Sequence, residues 1–408
     1  MSRLTQSQQI QHGQEQQAVA YFEGTLEPLP DARRGQGRRY PLRTVVVTAL
    51  MAMVCGCDDA EAMELWGEAS AAWLAGFLDM PHGPPTQDVF LRVFAALDPE
   101  AFSAVFRAWA ALLLLRLQIQ GKKHIAVDGK TSRRSFDTAS GSKAIHTVSA
   151  WMSEAGLVLG QRKTADKSNE ITAIPELLRV LDLKDATVTI DAMGCQTEIA
   201  KTIVDGEGDY LIAVKDNQPT LRQDIEKTFA EAADQRVRSC DELARPAVEV
   251  FDENDKGHGR VEKRTVQLCR DLSWLTTVEK WPGLAFVAQV LRETTVLATG
   301  KTSSEAAYYI GSDGEASAAE AGVTIRRHWA VESKLHWVLD IAFCEDDARH
   351  RARNTAQNLA TLRHFALNIV RQDSERKVGE ANSRRRAGFD RSYLIKLLTN
   401  AEASPAQC

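Results

Sequence analysis

The first 120 residues carry apolar side chains at helical spacing. Residues 42–54 are an example, because their apolar positions recur three and four residues apart behind Pro41, a residue that suits a helix start. Thr86 and Asp98 are of types that cap helices, and each precedes another such segment. We therefore predict a helical N-terminal domain over residues 1–120. Two roles stay open for it: DNA binding, with the helix after Thr86 as the second helix of a helix-turn-helix, or packing and dimerisation.

At residue 123 the pattern changes to short apolar and β-branched runs bounded by polar turns, which is typical of strands. Two segments between these runs keep the apolar spacing of helices. The predicted strands are 125–127, 144–151, 157–163, 187–190 and 210–215, and the predicted helices are 170–180 and 196–204. The predicted order is three strands, a helix, a strand, a helix and a strand. This is the order of a ribonuclease-H-like mixed sheet, in which the first and fourth strands are neighbours.

A second β-rich stretch follows before the chain returns to helical spacing over residues 317–342. These changes predict an α/β protein with four parts. They are the helical domain at 1–120, a ribonuclease-H-like catalytic domain at 121–220 and 316–372, a β-rich insertion at 221–315, and a basic C-terminal tail at 373–408.

Composition narrows the class of protein. The hydrophobic share of 44% and charged share of 26% are those of a soluble globular protein, and no apolar run is long enough to span a membrane. The seven cysteines are odd in number and lack paired CxxC spacing, which favours reduced thiols and a cytoplasmic location. The net charge of −5 argues mildly against a nucleic-acid-binding protein. Five arginines between Asp31 and Arg43, and eight Lys/Arg against four acids over residues 371–396, argue locally for one.

Three acids are the candidate catalytic residues. Asp128 and Asp191 each follow a predicted strand, and Glu332 lies in the predicted helix 317–342. Each aspartate alone is more often a strand-end cap or turn former than a catalyst. In the order of the predicted fold, however, the three carboxylates could hold two Mg²⁺ or Mn²⁺ ions, which prefer oxygen ligands and share substrate phosphates.

Several side chains near these acids are candidates for binding DNA. Lys130, Arg133 and Arg134 follow Asp128, and they predict either phosphate contacts or a solvated turn. His328 and His336 flank Glu332, where hydrogen bonding behind the acids is slightly favoured over contact with a phosphate or a metal. For Trp329 and Trp337, core packing is favoured over stacking on an unpaired base.

With these residues in view, the chain resembles the DDE transposases of bacterial insertion sequences, in particular the ISAs group with its H-repeat-associated proteins. The resemblance covers most of the chain and implies a ribonuclease-H-like catalytic domain, Asp128, Asp191 and Glu332 as the metal-binding triad, two Mg²⁺ ions, and cleavage and strand transfer at element ends. It rests on Arg38-Arg-Tyr-Pro-Leu42, Ile125-Ala-Val-Asp-Gly-Lys130, Lys167-Ser-Asn-Glu-Ile-Thr-Ala173, Thr189-Ile-Asp-Ala-Met193, Tyr210-Leu-Ile-Ala-Val-Lys-Asp-Asn-Gln218, His328-Trp-Ala-Val-Glu332 and Leu335-His-Trp337.

One departure from the broader family bears on DNA binding. The relatives carry an Arg four residues before the glutamate and a Lys seven residues after it, where this chain has His328 and Leu339. The phosphate-clamping role of that pair is therefore not carried over. Arg326, Arg327 or Lys334 are the candidates to replace it.

The intact triad favours an active DNA transposase that acts on terminal inverted repeats and target DNA. Two alternatives stay open: a DNA-binding relic without activity, and a structure-specific nuclease without strand transfer. A homodimer is expected in the synapse, because two element ends must be handled together.

Overall fold

The structure is a computed structural model that describes residues 6–35, 38–136, 143–164, 169–233, 246–257, 259–375 and 377–402. Among these residues no helix has the length and apolar character needed to cross a membrane.

Every described element before residue 123 is helical, apart from an isolated bridge between Pro81 and Gly83. Asp98 caps its helix as expected, accepting hydrogen bonds from Glu100 N and Ala101 N. Thr86 makes no such side-chain bond, and Glu64 from a neighbouring helix accepts one from Gln87 N instead. The six helices are α1 (Gln6–Thr25), α2 (Leu42–Val54), α3 (Ala60–Ala69), α4 (Ala71–Leu74), α5 (Gln87–Ala96) and α6 (Pro99–Leu117).

The centre of the molecule is a mixed sheet, so the prediction of a mixed α/β fold is confirmed. Its first five strands are β1 (Lys123–Thr131), β2 (His146–Met152), β3 (Leu157–Thr164), β4 (Ala186–Ile190) and β5 (Asp209–Val214). β1, β2 and β3 pair antiparallel, whereas β1, β4 and β5 run parallel. Helices α7 (Glu170–Leu178) and α8 (Thr197–Asp205) make the crossovers that parallel pairing requires.

The second β-rich stretch extends this same sheet. After α9 (Pro219–Ala233) come β6 (Val248–Gly257), β7 (Arg260–Cys269), β8 (Phe286–Val296) and β9 (Thr302–Gly311). β9 pairs antiparallel with β5, so the nine described strands have the order β3-β2-β1-β4-β5-β9-β8-β7-β6. The predicted insertion therefore continues the hydrogen-bonded ladder of the predicted catalytic domain.

The last helices join the sheet to the N-terminal helices. They are α10 (Ala318–His328), α11 (Trp337–Ala342), α12 (Thr355–Arg371), α13 (Glu380–Phe389) and α14 (Arg391–Asn400). Asn368 of α12 exchanges two hydrogen bonds with the backbone of Val158 in β3, and Asn358 donates to Phe94 O and Leu97 O. The segment predicted as a basic tail contains α13 and α14, whose Arg384 is buried and bonded to Met53 O and Asp58. Helical and sheet residues consequently share one continuous hydrophobic core.

Candidate active site

Asp128 and Asp191 lie side by side on neighbouring strands. The parallel register of β1 and β4 pairs Val127 with Ile190, and the two aspartates are the next residue on each strand. Asp191 ends β4 as predicted. Asp128 does not end β1, because antiparallel pairing with β2 continues through Thr131. Side chains alternate along strands, so the two carboxylates point to the same face of the sheet.

The Asp191 carboxylate is fixed by the turn that follows it. Its Oδ1 accepts hydrogen bonds from Met193 N at 3.0 Å and from Gly194 N at 3.4 Å, which caps the 3₁₀ turn Ala192–Gly194. A side chain at Gly194 would collide with Ile190, so the tight turn depends on glycine there.

Glu332 lies in a π-helical turn, Glu332–His336, between α10 and α11. Residues 317–342 therefore do not form the single regular helix that their spacing predicts. The neighbouring Val331, Leu335 and Val338 are buried, whereas Glu332 is exposed. Such wide turns occur frequently at functional sites.

The Asp128 carboxyl is strongly affected by its surroundings. Burial is the main cause that raises its pKa to about 7, and the negative charges of Asp191, Glu170 and Glu332 add to that effect. A hydrogen bond from Gly129 N to its Oδ1, at 2.8 Å, opposes the shift. His336 Nδ1 lies 3.5 Å from Oδ2 of the same carboxylate. Asp191 and Glu332 are thus close enough to act on the Asp128 carboxyl through their charges.

Whether these acids suit a metal ion follows from their chemistry and their spacing. Carboxylate oxygens whose charges destabilise each other are a donor set that Mg²⁺ or Mn²⁺ would neutralise. In the part of the chain that the structure describes, however, no three His, Cys, Asp or Glu side chains come together closely enough to hold one ion. The donor chemistry fits a divalent cation, and the carboxylates have to close by a side-chain adjustment to ligate it.

Lys130 is not on the surface, which disfavours its predicted contact with a phosphate. Its side chain is 10% exposed, and its Nζ lies 2.6 Å from Asp340, 2.8 Å from Glu345 and 3.5 Å from Asp346. These acids belong to α11 and the turn after it, so the ion pairs tie β1 to the segment that follows Glu332. Within that turn, Glu345 pairs with Lys130, Asp346 with Arg133 and Asp347 with Arg134.

The other predicted DNA contacts divide into exposed and buried residues. Arg133, Arg134, Arg327 and Lys334 are exposed, and Arg326 is exposed beside β6. Four of the five are paired with acids on the protein: Arg133 with Asp346, Arg134 with Asp347, Arg326 with Glu253 and Asp255, and Arg327 with Glu154.

His328 is buried beneath Asp191. Its Nδ1 bonds to Thr189 Oγ1, which also bonds to His124 Nε2. Burial lowers the pKa of His328, and for His124 it lowers the pKa to about 3. Both imidazoles are therefore neutral links in a chain that ties α10 to β4 and β1.

His336 is also mostly enclosed, with its Nε2 buried and without a hydrogen-bond partner among the described residues. Burial is the main cause that lowers its pKa to about 4. The two histidines therefore differ in their contacts: His328 hydrogen-bonds to Thr189, whereas His336 faces the Asp128 carboxylate directly.

Trp329 and Trp337 are exposed, contrary to the preference for core packing. They are 55% and 59% exposed, and Ile341 in the next turn is 59% exposed. These three apolar side chains are thus exposed in the same helical region as Glu332.

The sequence did not identify Glu170 or His146 as site residues. Both are buried, and their side chains pair with each other against Gly129, next to Asp128. Two sequence signals pointed to Glu170: it lies in the string Lys167–Ala173 that supports the family resemblance, and it is in the first turn of the helix that follows the first three strands.

Comparison with known proteins identifies the class to which this fold and site belong. Residues 119–369 match the family described as transposase DDE domain, and residues 24–110 match the family described as DDE_Tnp_1-associated. The chain therefore belongs to the DDE transposases, of the type carried by insertion sequences.

Individual relatives match this chain over most of its length. The chain is 35% identical over 379 residues to "H repeat-associated putative transposase YhhI" of Escherichia coli K12, which covers 92% of this chain and 97% of the relative. It is 36% identical over 379 residues to "Putative protein YbfL" of the same strain, with the same coverage. It is 34% identical over 382 residues to "Putative transposase YncI" of Escherichia coli O157:H7, covering 92% and 93%. Among solved structures, a piggyBac transposase synaptic complex with hairpin DNA aligns with a TM-score of 0.39 and 10% identity, over 97% of this chain and 80% of that one.

Proposed function

We propose that this protein catalyses metal-dependent DNA cleavage and strand transfer at the ends of an insertion element. The observation that carries the proposal is the β1–β4 register, because it aligns Asp128 with Asp191 on one face of the sheet. Glu332 completes the set, since its charge contributes to raising the pKa of Asp128. We interpret β1 to β5 with α7, α8 and α10 as a ribonuclease-H-like catalytic domain, to which β6 to β9 are an addition.

In this proposal Asp128, Asp191 and Glu332 hold two Mg²⁺ or Mn²⁺ ions. Such ions activate a water or a 3′-hydroxyl and stabilise the leaving oxygen in an in-line displacement. Asp191 is held by its own turn and Asp128 by the strand, whereas Glu332 is on an exposed π-helical turn. Glu332 is consequently the ligand with the freedom to move toward the two aspartates when a cation binds.

Lys130, His328 and His336 act behind these carboxylates rather than on the DNA. Lys130 holds the segment after Glu332 against β1, and His328 holds α10 against β4 through Thr189. His336 lies against Asp128 and limits the directions in which that carboxylate can turn. These contacts position the acids before substrate arrives, which is the principal requirement for this kind of chemistry.

The DNA would lie across the exposed side of the α10–α11 region. Trp329 and Trp337 offer aromatic faces to unpaired bases, and Lys334 offers a charge to a phosphate. Arg133 and Arg134 are exposed enough to exchange their carboxylate partners for phosphates. We further propose that the inverted repeats are handled by a homodimer, with α1 to α6 serving DNA binding or dimerisation.

The test is cleavage and joining of DNA that carries the flanking inverted repeats, with Mg²⁺ present. Asp128→Asn, Asp191→Asn and Glu332→Gln remove one charge each while keeping the side-chain shape. Asp182→Asn is the matched control. Asp182 is exposed and precedes β4, so it is at the other end of that strand from Asp191. Binding is measured separately by gel shift.

We expect the wild type and Asp182→Asn to cleave and join, and the three active-site variants to bind DNA without cleaving it. Cleavage without joining would instead favour a structure-specific nuclease. Binding without cleavage by any of the proteins, wild type included, would favour an inactive relic and refute the proposal.

A further inference from the structure

Glu170 and His146 form a buried pair directly behind the strand that carries Asp128. The Oε1 of Glu170 accepts a hydrogen bond from Nε2 of His146, and both residues are no more than 5% exposed. Glu170 is at the start of α7, and His146 is the first residue of β2. Neither of them is one of the three acids proposed above to hold the cations.

The contacts of His146 fix the position of the pair. His146 lies opposite Thr131 in the β1–β2 ladder, and its Nδ1 is 2.7 Å from Thr131 Oγ1. Both ring nitrogens of His146 therefore have a partner, Thr131 on one side and Glu170 on the other. The imidazole, and with it the Glu170 carboxyl group, is held in one orientation against β1.

Gly129 brings this pair next to the active site. A Cβ at Gly129 would lie 2.7 Å from His146 Nε2 and still closer to the Glu170 carboxylate, so no other residue fits without displacing the pair. Side chains alternate along β1, so Glu170 contacts the face opposite to the one that bears the Asp128 carboxylate. Glu170 therefore approaches β1 from the other face than the Asp128 carboxylate, and its charge acts on Asp128 through the strand.

We propose that Glu170 is a fourth acidic residue of the active site, which positions Asp128 through Gly129 and strengthens divalent-cation binding by its charge without ligating the cation. This inference rests on the proposed function. A negative charge across the thickness of one strand attracts a divalent cation strongly, since burial limits screening by water and salt. Its removal should weaken cation affinity on the order of tenfold.

The experiment separates cation binding from chemistry. Glu170→Gln keeps the shape and can still accept from His146 Nε2, so it removes only the charge. Glu176→Gln is the control on the same helix, where the side chain is 50% exposed and pairs with Arg162 on the surface. Mn²⁺ binding to the full chain, free and DNA-bound, is measured by electron paramagnetic resonance, and cleavage is then measured against Mg²⁺ concentration.

We expect Glu170→Gln to bind Mn²⁺ about tenfold more weakly and to need correspondingly more Mg²⁺ for half-maximal cleavage. Glu176→Gln should match the wild type in both measurements. Unchanged Mn²⁺ affinity in Glu170→Gln would overturn the role of the charge. A wild type that does not bind Mn²⁺ in either state would overturn the proposed function as well, which is a different result.

Gly129→Ala tests the positioning part. Circular dichroism and thermal unfolding first establish that this variant is folded. We expect a folded Gly129→Ala protein to lose cleavage at every Mg²⁺ concentration, because its methyl group displaces the pair and moves Asp128. Cleavage at the wild-type rate would show that the contact with Gly129 does not position Asp128.

Discussion

Replacing Lys130 by methionine should destabilise the protein far more than the loss of an ordinary lysine. Its Nζ is surrounded by Asp340, Glu345 and Asp346 at 2.6, 2.8 and 3.5 Å, and the Glu345 side chain is only 5% exposed. Removing one partner of a buried ion pair costs about 3–5 kcal/mol, because the remaining charge is left without compensation. Asp340 and Asp346 add less, since water reaches about a quarter of each side chain.

The loss of stability in Lys130→Met should depend on pH. Burial raises the pKa of Glu345, but attraction by Lys130 and Arg363 outweighs it and holds the pKa below its usual range. A lowered pKa means that the ion pair stabilises the fold above the pKa of the unfolded chain, and that this stability is lost as the pH falls through the folded pKa. Without Lys130 the same carboxyl is protonated on folding at moderately acidic pH. The difference between wild type and variant should therefore be largest near pH 7 and smaller at about pH 5.

Urea unfolding followed by circular dichroism at pH 7 and pH 5 provides the measurement. Lys184→Met is the control, because Lys184 is 63% exposed and its pair with Glu207 is on the surface. The double variant Lys130→Met with Glu345→Gln should recover part of the loss, since it removes the stranded charge. A loss below about 1 kcal/mol at pH 7, or equal losses for Lys130→Met and Lys184→Met, would refute the buried-pair reasoning.

Three further outcomes are expected. Asp128→Asn should raise the melting temperature of the metal-free protein at pH 8, because it removes a buried charge that Asp191 and Glu332 repel. Added Mg²⁺ should stabilise only the wild type. Equal stabilisation of wild type and variant by Mg²⁺ would contradict this prediction. Trp337→Ala should weaken binding of a substrate with unpaired end nucleotides by about 1–3 kcal/mol in fluorescence anisotropy, with Trp337→Phe closer to wild type. An equal effect on a fully paired duplex would indicate another role for that surface. Asn368→Ala should lower the free energy of unfolding by about 1–3 kcal/mol, because the backbone N–H and C=O of Val158 both lose their hydrogen-bond partner. A smaller loss would mean that water replaces the Asn368 amide.

The local pattern of the sequence was sufficient for the elements that carry the site. β-branched runs such as Thr187–Ile190 predict strands because their side chains suit a pleated, buried surface, and these strands are present within a few residues. The order of strands and helices allowed only a few topologies, and so the mixed sheet and the neighbouring positions of β1 and β4 could be predicted. The β-rich stretch was also found, but its continuity with the same sheet depends on β9 pairing with β5, which local patterns do not specify.

The environment of each charged or aromatic side chain was decided only by the tertiary structure. Lys130 next to a glycine has the local sequence of a solvated turn, but three acids from residues 340–346 enclose it. Trp337 follows a π-helical turn that changes which residues of the helix face outward. The pair of His146 and Glu170 depends on strand register and on where α7 begins. The sequence determines which side chains are present. Their burial and their partners depend on elements that are far apart in the chain, and burial and partners together determine whether a charged side chain contacts water, an acid or a metal ion.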